Sequence, residues 1–147
     1  MRTLWRISNY PTLEGLGGLR FSGRWHSQGH AIVYCSENTS SALNEMIAHQ
    51  DKEDFPDTFQ LLRIEIEEPF SVLRLEASDL PGNWRDQVHL TQAVGDAWIE
   101  GRQSLLLEVP SALAPYSQNV LINSSHPEAA RCKITEIISA PLYPRFT

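Results

Sequence analysis

Regular alternation of apolar and polar positions predicts two half-exposed strands. Within residues 3–8, alternate side chains would point to opposite faces of a strand. Residues 59–67 alternate more regularly, with Leu62, Ile64 and Ile66 on one side and charged residues on the other. A repeat of two residues is that of a β-strand with one covered face. We therefore predict a strand at each place, with the apolar set of the second directed into a core.

A repeat of three to four residues predicts a helix that ends near residue 50. Asn38, Thr39 and Ser40 are its candidate N-caps. Its apolar stripe consists of Ala42, Leu43, Met46 and Ile47. At about 100° per residue, Glu45 falls roughly 60° from Ala42, on the margin of this stripe. Glu45 is therefore placed to face either solvent or a cleft beside the core.

The remaining pattern predicts a second helix and several short strands. The helix covers roughly residues 87–100 and contains Gly95, which costs up to about 1 kcal/mol relative to alanine and so indicates close packing. Further strands are predicted at residues 31–35, 72–75, 104–109, 119–123 and 133–138. Loops are expected over 13–29 and over the charged segment 51–57, and a single turn capped by Ser124 or Ser125 over 127–130. The prediction is an α+β fold: one compact domain over residues 1–147, with a mixed core of short strands and flanking helices.

Composition narrows the classes of function. The 147 residues carry a formal net charge of −6, which argues against general nucleic-acid binding because that relies on many Lys and Arg contacts. The sequence has no apolar run of membrane-span length and no signal-peptide pattern, so a cytoplasmic protein is expected. Cys35 and Cys132 lack metal-ligand spacing and are predicted to be free, partly buried thiols.

Four polar residues stand out around a glycine-rich arginine loop. Arg24 lies in that loop, Tyr34 near the end of a buried strand, Glu45 in the first helix and Ser111 just after another buried strand. Guanidinium groups match phosphate bidentately, and Arg20 competes with Arg24 for that role. Each residue has an ordinary structural explanation as well: a solvated arginine, a core tyrosine, an exposed helix carboxylate and a turn serine.

The order of short segments around these residues carries more information than any one of them. The segments are Gly-Arg-Trp-His-Ser-Gln-Gly at 23–29, Val-Tyr-Cys-Ser at 33–36, Ala-Leu-Asn-Glu at 42–45, Gly-Asp-Ala-Trp at 95–98, Leu-Leu-Glu-Val-Pro-Ser at 106–111, Asn-Val-Leu-Ile-Asn at 119–123 and His-Pro at 126–127. In this order, and over nearly the whole chain, they resemble the RES domain family, which is named for its Arg, Glu and Ser.

The resemblance implies a fold similar to that of the ADP-ribosyltransferase toxins and a role as the toxin of a bacterial toxin–antitoxin pair. Members act on NAD, either degrading it or moving ADP-ribose to a protein. The resemblance implies that Arg24, Tyr34, Glu45 and Ser111 form the NAD site, with Arg20 able to share the arginine role. It also implies an Xre-type helix-turn-helix antitoxin as the partner that covers the cleft.

The chemistry of NAD cleavage suits these residue types. Breaking the nicotinamide–ribose bond builds oxocarbenium character on the ribose, which the carboxylate of Glu45 would stabilise. Arg24 would clamp the pyrophosphate, Tyr34 would support or stack the nicotinamide, and Ser111 would bond either the nicotinamide amide or a ribose hydroxyl. Arg24, Glu45 and Ser111 are the expected catalytic residues. NAD is a substrate here, and neither a metal nor a prosthetic group is required.

Three functions remain open from the sequence. NAD degradation with water or phosphate as acceptor is preferred, and mono-ADP-ribosylation of a protein is the alternative within the same chemistry. A non-catalytic module that binds a nucleotide or an acidic peptide belongs to a different class. A DNA-binding regulator is opposed by the acidic balance and by the lack of a recognition-helix pattern.

Overall fold

A seven-stranded mixed sheet organises the protein, with the strand order β4-β5-β6-β2-β1-β3-β7. The computed structural model describes residues 1–49 and 59–139. Its strands are β1 (Arg2–Ser8), β2 (Ile32–Ser36), β3 (Gln60–Ile66), β4 (Val72–Arg74), β5 (Leu106–Pro110), β6 (Gln118–Asn123) and β7 (Cys132–Ser139), and its α-helices are α1 (Leu16–Arg20), α2 (Thr39–His49) and α3 (Val88–Gly101). Neighbouring strands are antiparallel except β4 and β5. This architecture confirms the α+β prediction.

The sheet is divided at β1. This strand pairs with β3 along its whole length, from Arg2 opposite Ile66 to Ser8 opposite Gln60. Its pairing with β2 is confined to Trp5 opposite Ser36. The two strands therefore separate beyond that pair, and side chains of residues 10–17 line the gap between them together with those of β1 and β2.

Apolar side chains cover both faces of the sheet, and the apolar set predicted for β3 lies in one of the two cores. One core contains Leu62, Ile64 and Ile66, all fully buried, together with Leu4 and Val33. The second core lies on the other face against α3 and is built largely from Trp25, Trp84, Trp98, Leu107 and Leu121. The tryptophans fill the space between α3 and the loop that precedes β2, so this second core holds the arginine loop in place.

Three local predictions are wrong. The expected loop over 13–29 contains the short helix α1, which follows Gly15 in the left-handed conformation with φ 72°. Ile47 is 39% exposed although it belongs to the predicted apolar stripe, whereas Met46 before it is buried. The turn near residue 127 is a 3-10 helix, Ala129–Arg131, whose N-cap is Glu128 and neither of the two serines. The charged segment 51–57 lies outside the described residues.

Other expectations are confirmed. Both cysteines are free and buried, and burial raises the pKa of the Cys35 thiol to about 12. Asn38 is the N-cap of α2, since its Oδ1 accepts a hydrogen bond from the backbone N of Ser41 at 2.8 Å. Gly95 lies in the buried side of α3. Among the helices described, none has both the length and the apolar character that crossing a membrane requires.

Candidate active site

Glu45 reaches from α2 to the ends of β5 and β6. Its half-buried carboxylate oxygen Oε1 accepts hydrogen bonds from Asn119 Nδ2 at 2.9 Å and from Ser111 Oγ at 3.2 Å. The marginal position predicted for Glu45 is thus a half-buried one that faces polar partners. Two donors, one just after β5 and one in β6, fix the orientation of this carboxylate.

Ser111 joins Glu45 to the loop that follows β5. Its side chain is buried, and its Oγ accepts hydrogen bonds from the backbone N of Leu113 at 3.1 Å and of Ala114 at 3.3 Å. With these donors at its oxygen, the hydroxyl hydrogen is directed to Glu45. Ser111 therefore links the Glu45 carboxylate to this loop. It lies directly after Pro110, the last residue of β5.

The Tyr34 hydroxyl makes its hydrogen bonds to other groups of the protein. The oxygen accepts a hydrogen bond from the backbone N of Trp25 at 3.1 Å and lies 2.6 Å from Nδ1 of His26. His26 Nε2 faces two carbonyl oxygens, of Phe21 at 2.8 Å and Gly18 at 3.2 Å, so Nε2 carries the hydrogen and Nδ1 accepts from Tyr34. Burial raises the pKa of Tyr34 and lowers that of His26, so both are neutral at pH 7.

Strand register brings Tyr34 and the Glu45 cluster to one face. Ser36 lies opposite Asn119, and Tyr34 lies opposite Leu121. Tyr34 and Asn119 are therefore diagonal neighbours on the same face, a relation that corresponds to roughly 7–8 Å between residues. The Glu45 carboxylate, which is bound to Asn119, therefore lies on the same face of the sheet as the Tyr34 side chain.

Arg24 lies at the other side of Tyr34. Its Nη1 donates to the backbone oxygen of Arg85 at 3.0 Å, and its Cζ lies 6.0 Å from the ring centre of Trp84. Its own backbone oxygen accepts a hydrogen bond from Thr91 Oγ1 at 2.5 Å. The guanidinium group is thus oriented by an indole face and a carbonyl, and it keeps further donors for an anion.

The arginine loop is attached to α3 along one helix face. Gln92 Nε2 donates to the carbonyl of Gly23 at 2.9 Å, and Asp96 accepts from the backbone N of Ser27 at 2.9 Å and from its Oγ at 2.5 Å. Between these contacts lies Gly95, where an added Cβ would overlap the carbonyl oxygen of Trp25. The glycine lets the helix and the loop backbone touch.

The structure thus brings together Glu45 and Ser111 by direct contact, and links Tyr34 to the arginine loop. Arg20 is different: it is exposed at the last residue of α1, and within residues 1–49 and 59–139 it has no side-chain hydrogen bond or ion pair. The roles expected for these residues toward NAD stay predictions.

Several residues of the site carried no role in the sequence interpretation. Asn119 belongs to a predicted strand and received no role of its own, although an amide beside an apolar run is a signal of a buried polar contact. His26 lies within the Gly-Arg-Trp-His segment, but nothing in the sequence indicates its bond to Tyr34. Trp84 and Arg85 lie about 60 residues from Arg24, so only folding shows their proximity. Within the described ranges, no cluster of three or more His, Cys, Asp or Glu side chains suits a metal ion.

The sequence is similar to known proteins over most of its length. The family model for the RES domain matches residues 3–143. A protein of Pseudomonas putida named Toxin Res is 44% identical over 133 residues, which cover 89% of this chain and 90% of that protein. A protein of Sphingobium sp. named Prs ADP-ribosylating toxin is 31% identical, with 92% of this chain and 90% of that protein covered.

A solved structure shows the same fold. A chain of the M. tuberculosis MbcT–MbcA toxin–antitoxin complex superposes with a TM-score of 0.71 over 94% of this chain and 83% of that chain, at 18% identity. At this identity the likeness concerns the fold. Together with the family match over nearly the whole sequence, it leads to one conclusion: the chain belongs to the RES domain family.

Proposed function

We propose that the protein is the toxin of a toxin–antitoxin pair and that it cleaves the nicotinamide–ribose bond of NAD. The observation that carries the proposal is the Glu45 carboxylate, which is oriented by Ser111 and Asn119 and lies on the same face of the sheet as Tyr34. Curated relatives named as toxins support the biological role.

Glu45 supplies the charge that the reaction needs. As nicotinamide leaves, positive charge develops on the ribose, and a fixed carboxylate stabilises it without reorganising at that moment. The hydrogen bonds from Ser111 and Asn119 hold the carboxylate in place before the substrate arrives. In this assignment Ser111 acts through Glu45; a bond from Ser111 to the nicotinamide amide or to a ribose hydroxyl remains its other role.

Arg24 and Tyr34 position the substrate. The Tyr34 hydroxyl is engaged with Trp25 and His26, which leaves the ring as the part that contacts nicotinamide and so favours stacking. Arg24, oriented by Trp84, binds the pyrophosphate through its guanidinium. Arg20 has no comparable orienting contacts in the described part of the chain, so we assign the main arginine role to Arg24.

The test is release of nicotinamide by the purified protein, followed by chromatography. Glu45→Gln keeps the shape and removes the charge, so we expect it to lose about a hundredfold or more in rate, and Arg24→Ala to lose activity as well. Glu136→Gln removes an exposed carboxylate from β7 and serves as the matched control with normal turnover. Normal turnover by Glu45→Gln would exclude the assignment, and no release by the wild type would favour a binding module.

The acceptor distinguishes the two enzymatic candidates. With water or phosphate as acceptor the products are small molecules and NAD is lost. With a protein side chain as acceptor, a labelled protein appears only when cell extract is added. We place NAD degradation first. ADP-ribosyl transfer is the second candidate, favoured by the relative that is named an ADP-ribosylating toxin.

We further propose an antitoxin of the Xre helix-turn-helix type as the partner. The loop after Ser111, the residue that binds Glu45, presents Leu113, which is 47% exposed, and the fully exposed Tyr116, and such apolar exposure suits a covering protein. The acidic chain itself is not expected to bind DNA. Inhibition of nicotinamide release by the co-expressed antitoxin would support this partner, and unchanged release in a stable complex would contradict coverage of the cleft.

A further inference from the structure

Arg6 places a guanidinium group in the gap between β1 and β2. It is half-buried, and its Nη1 donates to the backbone oxygen of Tyr34 at 3.2 Å. Desolvation by burial lowers the pKa of this group. Within residues 1–49 and 59–139, the ion pairs of Arg and Lys side chains join other arginines to carboxylates and leave Arg6 without one. A desolvated charge without an opposite charge is costly, so a compensating anion would stabilise the fold.

A small cavity lies against this guanidinium group. Its volume is about 30 Å³, and its walls include Arg6, Ser8, Thr12, Gly15, Gly17 and Val33. A buried water needs on the order of 10–15 Å³ of such volume, so the cavity accepts a small group and excludes a nucleoside. Of the described residues that line it, none is acidic.

Two hydroxyl groups complete the donor set. Ser8 Oγ accepts a hydrogen bond from the backbone N of Tyr10 at 3.0 Å, and Thr12 Oγ1 accepts one from the backbone N of Glu14 at 3.4 Å. Because each oxygen already accepts from the backbone, each hydroxyl hydrogen is left to donate. One guanidinium and two hydroxyls, with no acidic neighbour in the walls, match the oxygens of a tetrahedral oxyanion.

We propose that Arg6, Ser8 and Thr12 form a binding site for a single phosphate group in the gap between β1 and β2. The site adjoins the backbone of Tyr34 through the carbonyl that Arg6 contacts. The phosphate group comes either from free inorganic phosphate or from a bound dinucleotide. The second source rests on the proposed function, whereas the first is independent of it.

Calorimetric titration of the full chain separates these sources. Inorganic phosphate is titrated into the wild type, and NAD into the Glu45→Gln background so that the ligand is not consumed. Arg6→Gln removes the charge. The double variant Ser8→Ala/Thr12→Val removes both hydroxyls but keeps the Arg6–Tyr34 hydrogen bond, which guards against an effect of misfolding. Lys133→Gln removes one exposed positive charge from β7 and is the control for long-range electrostatics.

We expect Arg6→Gln to weaken binding about tenfold or more, the double variant to weaken it severalfold, and Lys133→Gln to change it less than about twofold. The effect on inorganic phosphate identifies a free-phosphate site; an effect on NAD alone identifies a dinucleotide phosphate. The proposal is overturned if neither ligand binds, if both affinities survive in Arg6→Gln, or if the double variant binds like wild type. Failure of NAD cleavage alone would leave the phosphate titration valid.

Discussion

Replacing Gly95 by alanine should destabilise the protein, although alanine is the better helix former. In an exposed helix this change would stabilise by about 1 kcal/mol. Here the new Cβ would overlap the carbonyl oxygen of Trp25 and lie 2.7 Å from its carbonyl carbon, and both are backbone atoms that have no rotamer to change. Overpacking of this kind costs about 1–3 kcal/mol and occasionally more. We expect the upper part of that range, hence a net loss of about 2 kcal/mol after the gain in helix propensity.

The loss is measured by urea unfolding and by the melting temperature, which should fall by roughly 4–8 °C for a chain of this size. Gly17→Ala is the matched control: it lies within α1, nothing is within 4 Å of its added Cβ, and its stability should be unchanged or higher. Because α3 carries the contacts to the arginine loop, activity in Gly95→Ala should fall as well. Wild-type stability in Gly95→Ala would refute the inference that this glycine exists for contact with the loop.

Three further outcomes are expected. Tyr34→Phe leaves the Trp25 N–H and the His26 nitrogen without a partner and should cost about 1–3 kcal/mol in unfolding free energy, yet keep more NAD cleavage than Tyr34→Ala because the ring remains. Burial lowers the folded-state pKa of His26, so the stability that His26 contributes is complete above about pH 6.5 and declines as the pH falls below that value. The difference in unfolding free energy between wild type and His26→Gln should therefore change below about pH 6.5 and be constant from pH 7 to 8. A difference that is constant at every pH would contradict a buried neutral imidazole. Asn119→Asp replaces the amide donor 2.9 Å from Glu45 by a second carboxylate, and it should lower the rate of nicotinamide release at neutral pH at least tenfold. Asn119→Ser should lower that rate less, because it adds no charge. Equal rates for the two variants would show that charge beside Glu45 is unimportant.

Elements whose pattern depends on local order were predictable. The alternation in β3 identified Leu62, Ile64 and Ile66 as core residues, and all three are fully buried. The spacing of α2 placed Glu45 at the margin of the apolar stripe, and its half-buried side chain binds Ser111 and Asn119 there. The cost of a helical glycine pointed to close packing at Gly95, which the contact with Trp25 confirms.

Features that depend on distant residues were not predictable. Ile47 fits the apolar stripe of α2 but is 39% exposed, since burial depends on what packs against a helix and not on its repeat alone. Helix α1 is weak by propensity, with two of its five residues being glycine, and it forms where Gly18 packs closely against His30 and Ile32. Local composition favoured a loop there, and tertiary contact overrode it.

The amino-acid sequence by itself determined the α+β class, most strand and helix positions and, through the order of its short segments, the family and four candidate site residues. Periodicity and segment order are properties of the sequence itself, so they can be recognised before the fold is known. Only the tertiary structure decided that Asn119 and Ser111 donate hydrogen bonds to Glu45 and that the Tyr34 hydroxyl binds His26. It also decided that Arg6 lines a small cavity between β1 and β2. These relations arise where strands pair in register and where two strands separate, and the atoms concerned meet only when the chain has folded.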